Sequence, residues 1–167
     1  MDGRVHYAIR VRVVGLDVGR RRIGLAVSDH SGTLATPWCS LSGSGPVRGV
    51  ADRLVALLTE LRDDDDDGLS GIVVGLPMHL DGRSHEQAVR IRAIVKVLEQ
   101  GTGLPVTLQD ERLTSIEAEQ RLALRERDWR KRKARLDAAS AAIILQEYLD
   151  AQPTETGDRG QETGGRS

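Results

Sequence analysis

VVGLDVGRRRIGLAVSD, residues 13–29, decides the fold. Val11, Val13, Val14 and Leu16 run into Asp17-Val18-Gly19, and Ile23-Gly24-Leu25-Ala26-Val27-Ser28-Asp29 follows at once. The stretch therefore reads as two strands joined by a basic tight turn, with Arg20, Arg21 and Arg22 at its bend. A third extended stretch, Thr33 to Leu41, comes after the turn residues His30-Ser31-Gly32 and completes an antiparallel meander.

Beyond the meander the period changes. Val47, Val50, Ala51, Leu54, Leu57, Leu58 and Leu61 fall on one helical stripe, with Pro46 suited to the first turn. Ile72-Val73-Val74-Gly75-Leu76-Pro77 is apolar without alternation, as in a strand buried on both faces, and Pro77 ends it. Ser84 and Gln87 form a capping box for a second helix through Ala88, Ile91, Val95 and Leu98, which Gly101 stops. Pro105 to Leu108 is a short strand. Thr114 with Glu117 starts a third helix, and a fourth runs from about Ala134 to Asp150.

The order β-β-β-α-β-α-β-α-α predicts one α/β domain over residues 1–150, a mixed five-stranded sheet with helices on both faces. Residues 151–167 are polar and Gly-rich, the composition of a disordered tail. In open sheets the working crevice lies at the carboxyl ends of strands where the topology switches direction, here the end of the first strand. Asp17 stands there.

With 167 residues and 39% hydrophobic content, the chain has enough material for one core. Its 24 basic and 25 acidic side chains nearly cancel, so a nucleic-acid surface has to come from local clustering. Cys39 is the single cysteine, which excludes a disulfide framework and a thiolate metal cluster and fits a reducing compartment as a buried, inert thiol. The first ten residues lack a signal-peptide apolar core, and no later run has bilayer-spanning length, so a soluble, cytoplasmic protein without membrane contact is expected. Trp38, Trp129, Tyr7 and Tyr148 are the only aromatics, too few for a base-stacking platform of the single-strand-binding kind; recognition through shape and phosphates is expected instead.

Three carboxylates carry the chemistry. Asp17 closes an apolar strand at the crevice. Glu111, within Asp110-Glu111-Arg112, sits just after another strand running in the same direction. Asp137 shares a helix stripe with Ala141, Ile144 and Tyr148, a face that otherwise looks buried. Three gathered carboxylates repel one another unless a cation occupies the centre, and all-oxygen ligands point to Mg²⁺ or Mn²⁺. The run Asp63, Asp65, Asp67, Gly68 imitates half of a calcium loop, but the position for the bidentate Glu is Val74, inside a strand, so a solvated loop is the reading. His6, His30, His79 and His85 have no metal-ligand spacing. Arg125, Arg127, Arg130, Lys131, Arg132, Lys133 and Arg135 crowd between the third and fourth helices just before Asp137, a phosphate-binding cluster that Arg20 to Arg22 would complement.

Gly15-Leu16-Asp17-Val18-Gly19 with Arg22-Ile23-Gly24, Val73-Val74-Gly75-Leu76-Pro77 with Asp81-Gly82, Asp110-Glu111-Arg112-Leu113-Thr114, and Asp137-Ala138-Ala139-Ser140-Ala141-Ala142 leading to Ile144-Leu145-Gln146 together resemble the YqgF proteins. That family is also called RuvX, or Holliday-junction-resolvase-like, and the resemblance covers nearly all of Val13 to Asp150. It implies a ribonuclease H-like fold, metal ligands at Asp17, Glu111 and Asp137, and hydrolysis of phosphodiester bonds. The implied substrate is the 5′ end of precursor 16S ribosomal RNA, with branched DNA as the alternative. Two metals bridged by Asp17 would activate a water, and Arg112 would hold a phosphate. His79 replaces a small polar residue common at that place.

Gly15 to Gly19 also resembles the first phosphate loop of actin-like ATPases and sugar kinases, but those need two such lobes and a second phosphate loop. A noncatalytic RNA-binding factor in ribosome assembly or transcription is the remaining alternative. A homodimer would suit paired cuts, although no apolar stripe marks an interface.

Overall fold

The computed structural model describes residues 11–64, 68–77, 82–111 and 129–153. The expected meander is present as β1 (Arg12–Val18), β2 (Arg22–Ser28) and β3 (Ala35–Ser42). After it come α1 (Val47–Asp64), β4 (Leu69–Pro77), α2 (Gly82–Thr102), β5 (Val106–Glu111) and α3 (Trp129–Ala151). One mixed sheet contains all five strands in the order β3-β2-β1-β4-β5. β1 pairs antiparallel with β2 and parallel with β4, so the topology switches direction at β1.

Strand alternation sorts the core into two layers. On one face Val14, Leu16, Val18, Ile23, Leu25, Ile72 and Val74 meet Val50, Leu54 and Leu58 of α1 and Ile91, Ile94 and Leu98 of α2. On the other, Ala26 and Val73 meet Ala141, Ile144 and Leu145 of α3, with Val13 at the margin. Burying each such Leu or Ile side chain is worth about 1.5–3 kcal/mol. Helices therefore cover both faces, as the element order predicts.

Four boundaries differ from the sequence expectation. α1 continues through Asp63 and Asp64, although carboxylates oppose the negative end of a helix; Arg62 Nη1 donates to the Thr102 carbonyl at 3.0 Å and ties the end of α1 to the end of α2. α2 starts at Gly82, which puts Ser84 inside the first turn rather than at the cap. β5 extends past Leu108 because the ladder with β4 continues to the pair Pro77 and Glu111, and Glu111 is thus in the strand rather than after it. α3 starts at Trp129, so the part of the basic segment from Arg130 to Arg135 is helix rather than a connection, and Arg125 and Arg127 lie outside the described residues; Arg and Lys are strong helix formers. Asp65 to Asp67, His79, the helix expected from Thr114 and the tail from residue 154 lie outside the described residues. No described helix is long and apolar enough to cross a membrane.

The β2–β3 connection is organised by one carboxylate. Asp29 Oδ1 accepts from the backbone N–H of Thr33 at 2.8 Å and of Leu34 at 3.2 Å, and Oδ2 accepts from Ser31 Oγ at 2.9 Å. The Thr33 hydrogen bond leads the causes that hold the Asp29 carboxyl below its ordinary range. A lowered carboxylate pKa stabilises the fold above the unfolded value, about 4, and loses that contribution as pH falls through the folded value. Thermal melts between pH 6 and pH 3 are therefore expected to show a smaller acid-induced drop in Tm for Asp29→Asn than for the parent chain. Equal drops would remove Asp29 from the acid response.

Candidate functional site

The site depends on how closely α3 lies on the sheet. A Cβ built at Gly15 would stand 2.7 Å from Leu145 Cβ and 3.0 Å from the Ala141 carbonyl oxygen. At Gly24 it would stand 1.9 Å from the carbonyl oxygen of Asp137. The helix backbone occupies the space that side chains would need. Gln146 fixes the same docking from the far end, accepting from Ala35 N–H and donating to the Thr33 carbonyl, both at 2.9 Å. The sequence marked Gln146 only as part of a motif; its bonds to the start of β3 were not legible there.

Gly24 is the cross-strand Cα partner of Asp17. The backbones of Asp17 and Asp137, far apart in the chain, are thus both adjacent to one glycine. Both acids are half-buried, and Asp137 shares its helix face with Ala141 and Ile144, which are fully buried. Glu111 enters through register. Leu16 pairs with Val74 and Val74 with Leu108, so the row of Asp17 continues through Gly75 to Gln109. The Glu111 backbone stands two strands across from Asp17, about 10 Å, and two residues, about 7 Å, farther along β5. Its side chain, like all of Arg112, lies outside the described residues. Among the described residues no group of three His, Cys, Asp or Glu side chains could hold a metal ion. What the structure juxtaposes is the backbones of Asp17 and Asp137 at Gly24, with β5 ending two strands away from Asp17. Carboxylate oxygens as the donor set suit a hard divalent cation.

The tip of β1 is tied from α2 by two side chains that the sequence reading did not assign to the site. Gln87 Nε2 donates to the Val18 carbonyl at 2.5 Å, immediately after Asp17. Arg90 donates to the carbonyls of Gly19 and Gly43, joining the β1–β2 turn to the β3–α1 connection. Gln87 thus serves the strand tip instead of the capping role its spacing suggested. Gln at this spacing from a Ser fits both roles, and only the tertiary contact separates them.

Arg20 and Arg21 are exposed in the β1–β2 turn, and Arg22 is the half-buried first residue of β2. Arg20 lies 3.6 Å from Glu86 with both side chains mostly in solvent, a weak pair that leaves it available to other anions. Lys131 and Arg135 are exposed on the first turns of α3. Arg130, Arg132 and Lys133 belong to the same turns by backbone position. Of the histidines, His85 is exposed and His30 Nε2 lies 2.9 Å from Arg12 Nη2, so neither joins the acids. Cys39 is half-buried, and desolvation pushes its thiol pKa up, in keeping with an unreactive thiol.

Because the obstacle at Gly24 is backbone, Gly24→Ala is expected to lift α3 and cost about 1–3 kcal/mol or more, lowering Tm by several degrees. Gly49→Ala in α1 meets nothing closer than 3.8 Å and is expected to leave Tm unchanged or raise it. Thermal unfolding of the pair measures the seat directly; matching melts would refute it.

A family model described as "RuvX: Holliday junction resolvase" matches residues 11–151. A protein of Chloroflexus aurantiacus named "Putative pre-16S rRNA nuclease" is 39% identical over 84% of this chain and 87% of its own length. One of Pelotomaculum thermopropionicum with the same name is 34% identical over 94% of this chain and 96% of its own. Among solved structures, T. thermophilus RuvC in complex with a Holliday junction substrate superimposes with a TM-score of 0.54 at 18% identity, covering 84% of this chain and 95% of that one. That likeness gives the ribonuclease H-like fold.

Proposed function

The chain belongs to the RuvX family, and from that membership we propose that it is a metal-dependent nuclease hydrolysing phosphodiester bonds. Its proposed task is maturation of the 5′ end of precursor 16S ribosomal RNA, in the cytoplasm. The observation that carries the reading is that the backbones of Asp17, on the switch-point strand β1, and of Asp137, on α3, both adjoin Gly24 of β2.

Asp17, Asp137 and Glu111 would hold two ions of Mg²⁺ or Mn²⁺, which when bound would supply Lewis-acid charge and lower the pKa of water. The residues of the chain do the positioning. Asp17 is kept in place by the cross-strand ladder and by Gln87 on the next carbonyl. Asp137 is carried by a helix whose backbone is pressed against Gly24. Arg20, Arg21 and Arg22 on one side, and Arg130, Lys131, Arg132 and Lys133 on the other, would hold the phosphate backbone, with Arg112 beyond β5.

The helix-end charges support a phosphate role. The first turn of α3 contains no acidic residue and several cations, and cations at a helix N-terminus oppose the macrodipole by about 0.3–1 kcal/mol each. An anionic ligand there offsets that penalty. Branched DNA remains the second reading, because the same family model is described by that activity.

Purified chain with Mn²⁺ or Mg²⁺ is expected to cut labelled precursor RNA, a four-way DNA junction serving as the competing substrate. Asp17→Asn is expected to lower cleavage at least about a hundredfold while substrate binding changes by less than about threefold, and EDTA is expected to abolish cutting. Cleavage by Asp17→Asn at the parent rate would refute the assignment. Tight binding with no cleavage under any metal would favour the noncatalytic factor.

A further inference from the structure

A cleft of about 480 Å³ opens between the edge strand β3 and the first turns of α3, lined by Trp38, Cys39, Ser40, Arg135 and Ala138 among others. Its volume falls in the about 300–1,000 Å³ range of small-molecule sites. The two walls have different chemistry. On the strand side stands an indole that is 38% exposed, which is uncommon for so large an apolar group on an edge strand. On the helix side small alanine side chains leave a flat apolar surface, with the exposed Arg135 among them.

The indole stands at a break in the ladder. Leu25 pairs with Cys39 and Ala26 with Pro37, so Trp38 is the extra residue of a β-bulge. Bulges turn a side chain out of strand alternation and recur beside functional sites. The bulge and Pro37 also blunt an edge that would otherwise invite strand addition, but neither purpose requires a tryptophan.

Position relates the cleft to the acids. Ser40 is the cross-strand partner of Gly24, whose other neighbour is Asp17, so the cleft wall is about 10 Å from β1. Ala138, which lines the cleft, follows Asp137 directly on α3. Chain held by its phosphate at the acids would therefore carry its adjoining base over the cleft.

We propose that this cleft receives one unpaired nucleobase next to the scissile phosphate, stacked on Trp38, with Arg135 on the neighbouring phosphate. The proposal rests on the nuclease reading for its occupant and adds the subsite that selects unpaired substrate. A single indole is not a stacking platform for a whole strand; it holds one base, and because every base has a π-face the stacking is sequence-tolerant.

The test uses the full chain carrying Trp129→Phe, so that Trp38 is the sole tryptophan, with single-stranded oligonucleotides in EDTA so that binding alone is read. Saturable quenching of Trp38 emission is expected, lost with a fully abasic strand of the same length. Trp38→Ala is expected to weaken binding about 5- to 150-fold, while Trp38→Phe retains most of the affinity, and circular dichroism verifies that each variant is folded. Emission unaltered at saturation, or parental affinity in Trp38→Ala, would overturn the subsite. Metal-dependent cleavage without quenching would reject the cleft alone; quenching with no cleavage in any metal would reject the nuclease reading and keep the base site.

Discussion

The seating of α3 on two glycines is the constraint from which the rest of the molecule follows. A helix normally rides on a sheet with side chains from both partners between them. Here Gly15 and Gly24 remove one partner's contribution, and the helix backbone comes within the space of a single methyl group. Ala141 and Ala142 keep the helix surface equally low. Gln146 adds direction to the contact through its two bonds to the beginning of β3. The result is rigid for a packing reason: backbone cannot change rotamer to relieve a clash.

That seat brings Asp137 to Gly24, and strand pairing brings Asp17 to the same residue from the other side. Carboxylates gathered there would repel one another unless a cation lay between them. β1 lies where pairing changes from antiparallel to parallel, the switch point beside which open α/β sheets bind their ligands. Gln87 and Arg90 hold the backbone beyond Asp17 from the opposite face of the sheet. The two layers thus cooperate: α3 delivers one acid, and α2 steadies the strand that carries the other.

Electrostatics then divide the surface. Exposed arginines mark the β1–β2 turn, and Lys131 and Arg135 are exposed on the first turns of α3. The edge strand carries Trp38 at a bulge, where it lines a cleft against the helix.

The strand count, the meander, the crossovers and the helices on both faces were legible in the sequence because hydrophobic periodicity is a local property that each segment carries by itself. The place of Asp17 near the end of β1 was legible for a related reason, since an acid closing an apolar strand is visible in one line of text. Element ends were less so. β5 reaches Glu111 only because β4 is there to pair with it, α1 reaches Asp64 helped by Arg62 finding the Thr102 carbonyl, and Gln87 looked like a cap until Val18 lay beside it. The tertiary structure alone decided that Asp17 and Asp137 share a glycine and that Trp38 faces a helix. Such juxtapositions are set by how closely two surfaces approach, and a sequence records the size of each side chain without recording what lies opposite it.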